Sequence, residues 1–221
     1  MPAVMIVTTG ACTLVGVRRR LGIPLTQLRV SQGIFQQAGW RTVLVSPQGG
    51  EVPYDSGTLS EKWLRDGRLA ATTTALTDAD PTEFDAALII GGHGALVDLV
   101  ANTDLHRIVS GFAGAGKPIG AVDHGTAVLA AVRRSGVAMM SGVRATGRSD
   151  DEERRSGQLA LLPRTTEQML RDAHARSSFG PAWRPHVLVH GQLITGQNPS
   201  STSLTVQSLL AASASATRLA A

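Results

Sequence analysis

The chain has 221 residues, 43% hydrophobic and 17% charged, so it can bury the core of one compact domain and is neither disordered nor fibrous. Its 21 basic residues outnumber 17 acidic ones, but the arginines are scattered and form no stripe interleaved with aromatics, which argues against nucleic acid as a partner. A single cysteine, Cys12, excludes an intramolecular disulfide framework and a cysteine-rich zinc site, and a reducing cytoplasm is the expected setting.

The first predicted element is a strand from Val4 to Thr9, since the apolar N-terminus lacks the basic start of a signal peptide. No uncharged apolar stretch approaches the roughly 20 residues that cross a bilayer, so no membrane partner is expected. Leu25, Leu28, Phe35 and Ala38 then fall near one helical face, and Gly39 ends that helix as a left-handed cap. A strand from Thr42 to Ser46 follows, and residues 48–82 read as a lid or insertion.

The next strand covers Ala86 to Ile90. Asn102 or Thr103 caps a helix whose Leu105, Ile108, Val109 and Phe112 keep the helical spacing, Gly116 stops it, and Pro118 leads into a strand from Ile119 to Val122. An apolar helix, Ala127 to Val132, comes next. Further on, the pattern predicts a strand near Val143 to Thr146, a charged segment Asp150 to Arg155, a helix Thr165 to Arg176 and a loop Ser177 to Pro185 carrying Trp183. A hairpin around His190-Gly191 precedes a last helix opened by Asn198-Pro199-Ser200-Ser201. Short apolar runs alternating with helices give an α/β fold with a mostly parallel sheet covered on both faces, in one domain over residues 1–221.

In such sheets sites gather beyond the carboxyl ends of strands. Two turns there carry chemistry. Gly91-Gly92-His93-Gly94-Ala95 is a glycine-rich turn whose backbone N–H groups can approach a ligand closely. Asp123-His124-Gly125-Thr126, between a strand and a helix, has the arrangement of a nucleophile elbow, which projects one side chain into a pocket.

These segments, with Asp98, the Gly116-Lys117-Pro118 turn, Arg144-Ala145-Thr146-Gly147, Asp151-Glu152-Glu153 and the run Leu193 to Ser201, resemble the PfpI superfamily over nearly the whole chain. The match is to its branch of heat-shock chaperones with glyoxalase III activity. The resemblance implies a flavodoxin-like three-layer α/β/α sandwich, a homodimer, a small-molecule substrate and no organic cofactor. It also implies a cysteine at the elbow, where this chain has Asp123, and a glutamate on the first helix, where it has Gln27. His124 is kept, and the acidic residue that orients it aligns with Glu153, or with Glu152 if the register slips by one.

The two departures make sense together. A thiolate beside a protonated glutamate carries about one negative charge, and so does an ionised aspartate beside a neutral glutamine. The expected function is therefore cofactor-independent acid–base catalysis on a carbonyl compound, of lyase, hydratase, isomerase or cyclase type and placed in bacterial specialised metabolism. Asp123, His124, Glu153 and Gln27 are the catalytic candidates. Gly92, His93, Gly94, Gly125, Cys12 and Trp183 are the substrate-binding candidates, and the N–H groups of Gly92, His93 and His124 are candidate oxyanion donors. Two alternatives stand beside this reading: a non-catalytic, chaperone-like homodimer, and glyoxalase chemistry through Cys12. By residue type alone, Glu152 and Glu153 beside Arg154 and Arg155 read as an exposed ion-pair cluster. His106, His174, His186 and His190 have no metal-ligand spacing, and no metal is expected.

Overall fold

A computed structural model describes residues 1–14, 20–58 and 70–220. Its central sheet has eight strands in the order β11-β12-β6-β5-β1-β2-β4-β3. These are β1 (Ala3–Val7), β2 (Arg41–Ser46), β3 (Gln48–Pro53), β4 (Ala70–Ala75), β5 (Ala86–Ile89), β6 (Ile119–Val122), β11 (Val187–His190) and β12 (Leu193–Gly196); β7 (Arg133–Arg134), β8 (Val137–Ala138), β9 (Arg144–Ala145) and β10 (Arg176–Ser177) lie outside the sheet. The inner pairings are all parallel, and only the edge strands β3 and β11 run antiparallel to their neighbours.

A parallel sheet must be apolar on both faces, and β1 is buried at all five positions. Met5 and Val7 join Ile89, Ala121 and the Leu105, Ile108, Val109 and Phe112 stripe of one helix in the first core cluster. Val4 and Ile6 turn the other way, toward Leu28, Phe35, Val206 and Leu209. Burying a side chain such as Phe112, 1% exposed, contributes about 1.5–3 kcal/mol.

Among the described residues, seven helices flank the sheet: α1 (Leu25–Gln37), α2 (Gly94–Asp98), α3 (Thr103–Gly114), α4 (Gly125–Ala131), α5 (Asp150–Arg155), α6 (Thr166–Asp172) and α7 (Thr202–Ala220). The predicted glycine stops and the α3 cap hold. Gly39 and Gly116 have φ of 73° and 70°, and Asn102 caps α3 by accepting the Leu105 N–H at 2.9 Å.

Two expectations change. The helix predicted to run to Arg176 ends at Asp172, because His174 adopts φ 57° and Arg176–Ser177 turns into a strand beside Arg144–Ala145. Within the segment read as a lid or insertion, β3 and β4 pair into the main sheet and form its edge, while residues 59–69 lie outside those described. No helix among the described residues is long and apolar enough to cross a membrane.

Candidate active site

The carboxyl ends of β5 and β6 meet at the elbow. Asp123 stands there with φ 60°, a left-handed conformation that costs a non-glycine residue about 1–3 kcal/mol and that aspartate tolerates better than most. Its neighbours must be small. A Cβ on Gly91 would lie 2.6 Å from the Val122 carbonyl oxygen and 2.7 Å from Asp123 Cβ, and one on Gly125 would lie 2.6 Å from the Ile89 oxygen. Gly91 and Gly125 thus let backbones approach one another. Gly94 instead makes room for a side chain: a Cβ there would lie 2.7 Å from Thr9 Cγ2 and Oγ1, just beyond β1.

Asp123 is 4% exposed, and each of its oxygens has a distinct environment. Oδ2 accepts from Gln27 Nε2 at 3.1 Å and from the Gly92 N–H at 3.3 Å. Gln27 Oε1 accepts the Gly91 N–H at 2.9 Å, which orients the amide so that its N–H faces the carboxylate. The Gly92 N–H, a candidate oxyanion donor by sequence, is therefore occupied by Asp123. Oδ1 lies 3.3 Å from His124 Nδ1 and 4.0 Å from Arg148 Nη1, ion-pair contacts without an aligned hydrogen bond.

His124 precedes α4 and is 2% exposed. Its Nε2–H donates to Glu153 Oε1 at 2.6 Å, so Glu153 rather than Glu152 meets the imidazole. Both glutamates are fully buried, contrary to the exposed cluster that their residue types suggest. The cause is the capping box at α5, where Ser149 and Glu152 satisfy each other's donors and fix the first turn. Glu152 then faces the Trp183 and Asn198 loops, and Glu153 faces the histidines. Glu153 Oε2 lies 3.4 Å from His93 Nε2, and the two imidazole rings are 4.3 Å apart.

Arg148, 6% exposed, completes the cluster with Nε 3.4 Å from Glu153 Oε1 and its guanidinium 4.7 Å from the Trp183 ring. Sequence reasoning missed it. The available signal was its place directly after the Arg144-Ala145-Thr146-Gly147 motif. Cys12 is half-buried, and its thiol donates to the Gly10 oxygen of its own turn.

Electrostatics sort these groups. Burial alone would raise the Asp123 pKa, but His124, Arg148 and His93 outweigh it and hold the carboxyl at about 2. Burial would likewise lower His124, yet Asp123 and Glu153 push it up to about 9. Burial opposes ionisation of Glu153 too, and His124, His93 and Arg148 keep it below the usual carboxylate range. His93 moves the other way: burial and the neighbouring His124 lower it, against the pull of Glu153 and Asp123. At neutral pH the site holds two carboxylates, an imidazolium, a guanidinium and a neutral imidazole.

His93, His124 and Glu153 have ligand atoms within 4.8 Å of one another. They do not fit a dication well, because the Arg148 guanidinium already lies on Glu153 and would repel it.

The DJ-1/PfpI family profile matches residues 25–211. Glutamine amidotransferase-like class 1 domain-containing protein 1 of Bos taurus is 35% identical over 177 residues, which cover 78% of this chain and 80% of the relative. Glyoxalase 3 of Candida albicans is 27% identical over 146 residues, 62% of this chain and 61% of the relative. Among solved structures, the Rapid Encystment Protein 24 KDa of Francisella tularensis superposes with a TM-score of 0.89 at 28% identity, covering 96% of this chain and 99% of that one.

Proposed function

The chain belongs to the DJ-1/PfpI family, and from that premise we propose that it is a thiol-independent acid–base enzyme acting on a small carbonyl compound. The observation that carries this reading is that two histidines in tilted ring contact share one carboxylate, with His124 pushed up to about 9 and His93 moved down. Environments that drive two like groups apart mark the acid and the base. His124 supplies a proton to the substrate carbonyl oxygen, and neutral His93 takes one from the adjacent carbon. Asp123, held ionised, is a weak base at neutral pH; it keeps His124 charged and stabilises the array through the Gln27 and Gly92 donors. The strain retained at φ 60° is consistent with a working elbow.

The glyoxalase names of relatives such as that of Candida albicans favour a 2-oxoaldehyde as the substrate class. For such a hydrate the balance closes without a thiol. The C1 hydrogen leaves to the base, the C2 oxygen takes the acid's proton, and reprotonation at C2 gives the 2-hydroxy acid, one water being consumed overall.

Incubating the protein with methylglyoxal and with hydroxyacetone in D2O tests the reading. Deuterium uptake at the carbon beside the carbonyl, lost in His124→Asn and in Asp123→Asn, is the expected result. Native protein inert toward both compounds, or a fully active Asp123→Asn, would refute it. Cys12→Ser should leave the activity intact; its loss would return the chemistry to the thiol.

A further inference from the structure

Arg148 is the guanidinium of the site, and three features hold it in place. Its own N–H donates to the Asp123 carbonyl oxygen at 3.4 Å, which ties its backbone to the elbow. Its Nη2 donates to Ser156 Oγ at 3.5 Å, at the far end of α5. Its face is covered by the Trp183 indole at 4.7 Å, the geometry of a cation–π contact.

Trp183 is an unusual cover. It is a bulky residue at φ 64°, in a region such side chains rarely enter, and it leaves 44% of its surface exposed. Packing alone would gain little from that conformation. What fixes it is Glu152, whose Oε1 accepts the Trp183 N–H at 2.9 Å and Asn198 Nδ2 at 2.8 Å, while its Oε2 accepts from Ser149. A fully buried carboxylate therefore clamps three loops at one point and sets the angle at which the indole meets the guanidinium.

We propose that Glu152, Trp183 and Arg148 form a positioning relay in which the clamped indole shields the guanidinium from water and keeps its charge on Asp123 and Glu153. None of the three is a catalytic residue. Arg148 touches the carboxylates that flank His124, and Glu152 and Trp183 act through Arg148. The relay deepens the acid–base reading above, because it determines how firmly His124 holds its proton.

Among the described residues, the charged and titratable groups facing His124 are Asp123 from its own turn, Glu153 from α5, His93 from the turn after β5, and Arg148 from the loop after β9 (Arg144–Ala145). Both carboxylates stay ionised where His124 titrates. Removing the guanidinium thus removes only a repelling cation, and the His124 midpoint rises.

The test is an NMR titration of the His124 imidazole nitrogens in the full chain, which needs no substrate. Arg148→Met should raise the midpoint by about one pH unit. Trp183→Ala should shift it in the same direction, the double variant should move it no further than Arg148→Met alone, and Trp183→Phe should restore it. A Trp183→Ala protein that stays folded by circular dichroism with an unchanged or lowered midpoint overturns the relay and leaves Trp183 as packing. If the midpoints move as stated while native protein takes up no deuterium from any carbonyl compound, the relay stands and the acid–base function falls.

Discussion

Gln27 and Asp123, 96 residues apart in sequence, meet through a single directed hydrogen bond: Nε2 donates at 3.1 Å, while the other end of the same amide is fixed by the Gly91 N–H. The glutamine cannot turn over without losing both contacts. A neutral donor therefore orients the carboxylate whose charge His124, Arg148 and His93 maintain.

Gln27→Glu replaces that donor with a second carboxyl 3.1 Å from an ionised one. The new group must take a proton to remain, so its folded pKa rises above its unfolded value. Its contribution to stability is full below the unfolded pKa, near 4.3, and is lost as the pH rises through the folded value. Urea midpoints should match the native protein near pH 4 and fall behind by about 1–3 kcal/mol at pH 8. Equal midpoints at both pH values would show that the pocket admits two charges.

Asp123→Asn keeps the shape of the side chain and removes its charge. His124 loses the first of the two anions that hold it at about 9, and its titration should fall by at least one unit, read by imidazole NMR. The variant should remain folded. A midpoint that stays near 9 would mean that Glu153 alone charges His124.

The Asp123–His124 pair should contribute most to stability between about pH 4 and 6.5. Asp123 titrates at about 2 in the fold against 3.8 ordinarily, so its contribution is present above the unfolded pKa and lost as pH falls through about 2. His124 titrates at about 9 against 6.5, so its contribution is full below 6.5 and lost as pH rises through about 9. Both limbs report the same buried ion pair, worth about 2–3 kcal/mol, and must not be summed. Urea denaturation at pH 5 and pH 9 should differ by that amount, and the alkaline loss should shrink in Asp123→Asn.

Two glycines make opposite predictions. Alanine at Gly91 forces its Cβ to within 2.6 Å of a backbone oxygen, and thermal denaturation should show a loss above about 2 kcal/mol. Gly33 lies within α1 with open space where a Cβ would go, so Gly33→Ala should stabilise by about 0.5–1 kcal/mol.

The core strands, the helix caps and the elbow were legible in the sequence because periodicity and turn chemistry act locally. Gln27 was legible only through the family resemblance, and α1 carries it to Asp123. The weak strands β3 and β4 were not legible: Gln48–Pro53 and Ala70–Ala75 carry few large apolar residues, and pairing at a sheet edge is what makes them strands. Glu152 and Glu153 look like solvent-facing charges because nothing in a run of acids and bases reveals that its first turn is buried. Arg148 gave still less away, one arginine in an arginine-rich chain, whose partners come from the elbow, α5 and the Trp183 loop.

A carboxylate at the elbow also meets oxidants differently from a thiolate. Sulfur chemistry has no purchase on it: Asp123 offers nothing for peroxide to oxidise, and the chain's one sulfhydryl sits in the turn after β1. Its negative charge is thus indifferent to the surrounding redox poise and answers to pH.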